Sequence, residues 1–204
     1  ELLSIILAAG EGTRMRSAIP KVLHQVGGLA MVSHAVRVAK AAGSSRIAVV
    51  IGPDHDAVGD AAGRIDSRAA IFTQTERLGT GHAVKQARNA YAAAEGNVIV
   101  LYADTPLVSP ATVAAIVAKL DAGADVVVVG FEPPDPTGYG RLLTKGDRLL
   151  AIREHREASE VERRIGLVNS GIMGFKSAAL RAVIDRIENK NAKGEFYLTD
   201  AIEL

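Results

Sequence analysis

Five runs of strand length are apolar along nearly their whole extent: Leu2–Ala8, Arg46–Ile51, Ala69–Phe72, Asn97–Tyr102 and Ala124–Gly130. A strand that is apolar on both faces has to be covered on both, the condition of a central strand in a parallel sheet flanked by helices. The stretches between them carry helical patterns to match. Val32, Ala35, Val36 and Ala39 form one stripe, with Gly43 placed to cap it, and His82 to Ala94 forms a second. A third runs through Val113, Ile116, Val117 and Leu120, behind Ser109 as N-cap and Pro110 at the first helical position. This alternation, up to about residue 130, predicts βαβ units with right-handed crossovers.

The pattern then changes. The proline- and glycine-rich stretch FEPPDPTGYG (Phe131–Gly140) reads as a loop, and two strands are expected around a turn at Lys145-Gly146-Asp147. Leu167–Phe175 reads as a further strand and Ser177–Ile187 as a helix. The expectation is an α/β fold: a Rossmann-like, mixed, mostly parallel sheet flanked by helices over residues 1–130, then a more antiparallel half over 131–204. With 204 residues the chain is long enough for one sizeable core. It begins at Glu1 and stops at Leu204 inside what reads as a young helix, so it is expected to be part of a longer protein.

Charge excludes some partners. Lys and Arg number 24 against 23 Asp and Glu, a net charge of +1, so neither nucleic acid nor membrane is expected as a partner and any anion must be held by local placement. The chain has no cysteine, which excludes disulfides, thiolate metal sites and thiol nucleophiles and is compatible with a cytoplasmic location. No apolar stretch approaches the ~20 residues of a membrane span.

Several loops carry candidate chemistry. The first strand empties into LAAGEGTRM (Leu7–Met15), followed by Arg16 and Lys21. A dinucleotide fingerprint would need glycine where Met15 stands, and no Walker A pattern occurs. The glycines still let backbone N–H groups approach phosphate oxygens, and Arg14 and Lys21 can neutralise them; the alternative is a strand-to-helix turn with solvated cations. In VIVLYADTPL (Val98–Leu107) a presumed central strand ends in Asp104, placed either to hold Mg2+ or to cap the turn before Pro106. In TQTERLGTGHAV (Thr73–Val84), the amides of Gly79-Thr80-Gly81 at a helix start and the amide of Gln74 have the equipment to read a base; otherwise Thr80 is a plain N-cap and Gln74 is solvated. At period two, Leu150, Ile152 and Glu154 share a face, as do Asn169, Gly171 and Met173, where the glycine permits close approach of a ligand. The five histidines have no metal-ligand spacing, and Arg153–Arg164 reads as a solvated helical face from which only Glu154 is singled out.

In chain order, LAAGEGTRM, PKVLH (Pro20–His24), Gln74 with LGTGHA (Leu78–Ala83), LYADTPL (Leu101–Leu107), GYGR (Gly138–Arg141), EH (Glu154–His155), NSGI (Asn169–Ile172) and GEFYLTD (Gly194–Asp200) span nearly the whole chain. The ordered set resembles the sugar-nucleotide pyrophosphorylase family, most of all the uridylyltransferase half of its bacterial bifunctional uridyltransferase/acetyltransferase members. The resemblance implies the nucleotide-diphospho-sugar transferase fold and an in-line attack of N-acetylglucosamine 1-phosphate on the α-phosphorus of UTP, making a cell-wall precursor. It implies that Leu7, Ala8, Ala9, Gly10 and Gly12, with Arg14 and Lys21 as the catalytic cations, hold the UTP phosphates and ribose. By the same resemblance Gln74, Gly79 and Thr80 read uracil, Asp104 ligates Mg2+ beside Tyr102, and Gly140, Glu154, Asn169, Tyr197 and Thr199 bind the sugar phosphate. Ala103 departs from the glycine common at that place, and the family's second metal ligand, an asparagine, lies beyond Leu204. These residues alone are therefore expected to bind metal weakly, which puts their own activity in question. The acetyltransferase β-helix, through which the family forms homotrimers, is also expected to lie outside them. Other sugar-1-phosphate or molybdopterin nucleotidyltransferases, and a non-catalytic nucleotide-binding regulator, stay open as alternatives; an NAD-dependent oxidoreductase is disfavoured by Met15.

Overall fold

The computed structural model describes residues 1–12, 15, 17–146 and 148–204. In chain order its elements are β1 (Leu2–Ala8), β2 (Gln25–Val26), β3 (Leu29–Ala30), α1 (Met31–Ala41), β4 (Arg46–Ile51), α2 (Asp56–Gly63), β5 (Ala70–Thr73), α3 (Thr80–Gln86), α4 (Arg88–Tyr91) and β6 (Asn97–Tyr102). There follow α5 (Pro110–Asp121), β7 (Val126–Phe131), β8 (Arg141–Lys145), β9 (Arg148–Arg153), α6 (Glu160–Arg163), β10 (Val168–Lys176) and α7 (Ser177–Val183).

One eight-stranded sheet organises them, in the order β5-β4-β1-β6-β10-β8-β9, with β7 paired to β10. β5, β4, β1 and β6 are parallel, and β10 enters antiparallel beside β6. The apolar runs fill both faces as their composition requires. Leu3, Ile5 and Leu7 pack with α3, α4 and α7 in one core cluster, and Ile6 and Ala8 pack with α1, α2 and α5 in the other. From β1 the chain goes outward to β4 and β5, then returns to the other side of β1 as β6. The loops leaving β1 and β6 therefore diverge, and a crevice opens at their carboxyl ends.

Other expectations are corrected. The helix expected from His82 to Ala94 is two, α3 and α4, with Ala87 as the cap between them. The segment 153–164 is strand end, loop and a four-residue helix instead of a continuous helical face. The shared face of Leu150, Ile152 and Glu154 is broken, because Leu143 pairs with Ala151 and Thr144 with Leu149. Leu150 is thus the extra residue of a β-bulge and points outward, 45% exposed, while Ile152 is buried. Between Asn169 and Met173 the register also shifts, but four positions of β10 face two of β7, so Asn169 opposite Gly130 and Met173 opposite Val128 keep the one face expected of them while Gly171, at φ +92°, falls in the irregular stretch. The turn residue Asp147 lies outside the described residues.

Candidate active site

A cleft of about 370 Å³ sits in the crevice between the β1 and β6 ends. Leu7, Ala8, Ala9, Gly10, Gly12, Lys21, Gln74, Gly79, Thr80, Tyr102 and Asp104 line it together, joined by Val22, Arg77, Ala83 and Glu195. Arg14 lies outside the described residues.

The two loop glycines have different reasons to be there. Gly12 has φ +62°, and a Cβ on it would come within 2.4 Å of the Lys21 Cβ, so its bareness lets the Lys21–Leu23 turn pack against the loop. Among the described residues, a Cβ on Gly10 would meet nothing within 4 Å. Among those residues no packing contact requires Gly10 to be bare, and Gly10 lines the cleft.

Lys21 Nζ donates to Asp104 Oδ2 at 2.7 Å, a partly exposed pair spanning 83 residues of sequence that couples the β1 side of the cleft to the end of β6. Among the described residues no three or more His, Asp or Glu side chains converge as a metal cage. The Asp104 carboxylate, lining the cleft with a glycine loop, fits a hard cation that brings most of its oxygen ligands with it, as phosphates and water.

The loop between β5 and α3 is held from two sides. Gln74 is buried, its Nε2 donating to the Gly79 carbonyl at 3.1 Å and lying 3.1 Å from His82 Nδ1. The Gly81 amide, expected to be free for a ligand, donates to the Phe196 carbonyl at 2.8 Å. The Phe196 amide donates in return to the Leu78 carbonyl at 2.7 Å, and the Leu198 amide donates to Thr80 Oγ1 at 3.0 Å. Gly79 has φ +104°, and a Cβ there would come within 2.6 Å of the Phe196 carbonyl oxygen. This loop and the GEFYLTD segment are one packed unit, an arrangement that local spacing does not reveal.

Glu154 and Tyr197 line a second hollow of about 440 Å³ with Gly138, His155, Arg156, Glu157, Ala192 and Lys193. A Cβ on Gly140 would come within 3.3 Å of Glu154 Oε1. The Asn169 amide donates to the Gly140 carbonyl at 2.8 Å, and Asn169 Oδ1 accepts from the Gly171 amide at 2.9 Å. Gly171 does permit a close approach, but of the Tyr102 ring, whose Cε2 lies 2.9 Å from where its Cβ would be. Arg141, 1% exposed, organises this region by donating to the carbonyls of Arg163 and Tyr139. Thr199 is buried, and among the described residues its Oγ1 has no hydrogen-bond partner.

Electrostatics separate the two hollows, with Tyr102 between them. Burial pushes the Tyr102 phenol up to about 12, with a side-chain hydrogen bond to Thr80 opposing it and the charges of Asp104 and Glu154 adding to it. Burial also raises Glu154, with Glu157, Asp200 and Glu195 adding to it and Lys193 opposing. Asp200 is raised to about 6 by burial first, then by Glu157 and Glu203.

Sequence reasoning missed Arg77. Its only signal was a cation in a loop between a strand and a glycine turn, which many solvated arginines share.

Residues 4–167 match the MobA-like NTP transferase domain. The bifunctional protein GlmU of Azorhizobium caulinodans (strain ORS 571) is 52% identical over 203 residues, covering 100% of this chain and 45% of that protein. Its counterpart in Xanthobacter autotrophicus (strain Py2) is 53% identical over 203 residues, with the same coverage of 100% and 45%. The chain thus spans a little under half the length of these curated relatives. Among solved structures, UDP-glucose pyrophosphorylase complexed with UDP-glucose superposes with a TM-score of 0.79 at 18% identity, over 98% of this chain and 85% of that one. The apo form of a UDP-glucose pyrophosphorylase gives 0.76 at 17%, over 100% and 86%. At that identity the likeness shows the fold, that of the nucleotide-diphospho-sugar transferases. The match over residues 4–167 and the cleft at the β1 and β6 ends agree, and the chain belongs to the MobA-like NTP transferase domain family.

Proposed function

We propose that this chain transfers UMP from UTP to N-acetylglucosamine 1-phosphate, releasing pyrophosphate. The observation that carries the proposal is the cleft itself, lined by the glycine loop with Lys21 and Asp104, beside a second hollow in which Glu154 and Glu157 lie with Arg156 and Lys193. Relatives with the name bifunctional protein GlmU, matched over 100% of this chain and 45% of their own length, support it. In this reading residues 1–130 form the nucleotide half and 131–204 the sugar half of one domain.

The chemistry needs no side-chain nucleophile. A phosphate oxygen of the sugar 1-phosphate attacks the α-phosphorus of UTP; the new P–O bond forms as the α–β bridging bond breaks, and pyrophosphate leaves with the electron pair. The protein's part is positioning and charge. Lys21 and the amides of the Ala8–Gly12 loop hold phosphate oxygens, Gln74, Gly79 and Thr80 frame the base, and Glu154, Asn169 and Tyr197 accept or donate to sugar hydroxyls and the acetamido group. Asp104 is the residue that would hold a Mg2+ arriving with the triphosphate, an ion that supplies neutralisation of the charge spreading over the phosphates when bound. None of the helices is long and apolar enough to cross a membrane among the described residues, in keeping with our placing the reaction in the cytoplasm.

The test is pyrophosphate release with UTP, Mg2+ and N-acetylglucosamine 1-phosphate, on these 204 residues and on the same residues carried in a chain of the relatives' full length. Release that requires all three components, with UDP-N-acetylglucosamine formed in equal amount, supports the proposal. UTP bound without turnover in either chain sinks it in favour of a nucleotide-binding regulator.

A further inference from the structure

We infer that Arg77 is a positioning residue that neutralises an acid built into the phosphate loop and fastens that loop to the base-side loop. The inference rests on the uridylyltransferase reading above and deepens it. Glu11 stands between Gly10 and Gly12, both of which line the cleft. A carboxylate in that place works against a triphosphate, since like charges in a partly desolvated cleft repel far more than in bulk water.

The structure places a guanidinium against it. Arg77, on the loop between β5 and α3, donates Nη1 to Glu11 Oε1 at 2.5 Å and Nε to the Ala9 carbonyl at 3.0 Å. One planar fork therefore grips the side chain and the backbone of the same loop. Its remaining edge faces the β4 end, where a Cβ on Gly52 would come within 3.1 Å of Nη2. Three carboxyl-end loops meet on this one group. The pair is 35% and 52% exposed, a setting in which an ion pair adds little to fold stability. Its effect lies in the charge and geometry that the loop presents to the cleft. A lysine could supply the charge but not the two-point grip.

The test is calorimetric titration with UTP and, separately, with uridine, alongside steady-state kinetics. Arg77→Met is expected to weaken UTP about tenfold and raise its KM in step, with kcat changed by less than about twofold. Uridine, which carries no phosphate, should bind the variant as it binds the parent. Arg77→Lys should fall between the two. Adding Glu11→Gln to Arg77→Met should recover most of the loss, because the acid that Arg77 covered is gone. Unchanged UTP affinity in Arg77→Met overturns the inference. So does an equal loss for uridine, which would mean a general collapse of the loop, and so does a loss that Glu11→Gln leaves in place. A parent that binds UTP but forms no UDP-sugar defeats the transfer reading alone, since the titrations still score the clasp. A parent that turns over while Arg77→Met behaves identically defeats the clasp alone.

Discussion

On the glycine-loop wall of the cleft, Glu11 is held against Arg77 and Asp104 against Lys21. On the wall built from β9 and the GEFYLTD segment, Glu154 and Asp200 are raised by burial and by neighbouring acids even though Arg156 and Lys193 line the same hollow as Glu154, and the buried Arg141 donates to carbonyls. The contrast is one of ligand chemistry. A wall that receives a polyanion must first silence its own acids and keep cations within reach. A wall that receives neutral hydroxyls gains from carboxylates, which accept hydrogen bonds from them. On the proposed reading, a substrate that is part sugar and part phosphate would be oriented by that difference.

The comparison breaks most visibly at Asp104. Asp104→Asn should cut UDP-sugar formation about 10²- to 10³-fold, while the melting temperature stays near that of the parent because the ion pair is half-exposed. Near-normal turnover would remove Asp104 from the phosphate wall. Gly79→Ala strikes the seam where the two walls are joined. The positive φ and the clash with Phe196 should cost about 2–3 kcal/mol and lower the melting temperature by several degrees, on the order of 4–10 °C. A variant that melts with the parent would mean that the walls are not packed as one unit. Lys21→Met should lower kcat/KM for UTP about 10- to 100-fold with less effect on sugar binding; an unchanged response to UTP would leave Lys21 as a partner of Asp104 and nothing more.

The smallest effect sharpens the acidic side. Because the carboxyl of Asp200 is raised to about 6, the folded state holds its proton more tightly than the unfolded chain does. Its contribution thus favours folding at low pH and fades as pH rises from about 4 to about 6. Discounted for partial exposure, Asp200→Asn should melt about 2 °C higher than the parent at pH 7, and the difference should vanish towards pH 4. Parallel melting curves across that range would show that Asp200 is not under the strain its neighbours imply.

Much of the fold could be read from residue order because doubly apolar strands leave few alternatives. β1, β4 and β6 lie where the apolar runs place them, since burial on both faces is a local property of composition. The position of Asp104 at a strand end was legible for the same reason. The bulges at Leu150 and between Asn169 and Met173 were not, because register depends on the partner strand. α2 carries Gly59 and Gly63, so its propensity is weak and its buried face of Val58, Ala61 and Ala62 comes from docking in the core around α1 and β4. The Lys21–Asp104 and Arg77–Glu11 pairs join residues 83 and 66 apart, and nothing in local spacing announces a contact made only once the sheet has closed.

The central claim, that one wall takes a uridine triphosphate and the other the N-acetylated sugar ring of a hexose phosphate, is tested most directly by a matched panel. Pyrophosphate release would be measured with UTP, dTTP, GTP and CTP, each against N-acetylglucosamine 1-phosphate and glucose 1-phosphate in the presence of Mg2+. The account predicts the highest kcat/KM for UTP with the acetylated sugar; a preference for another base, or for the sugar without its acetamido group, would contradict it.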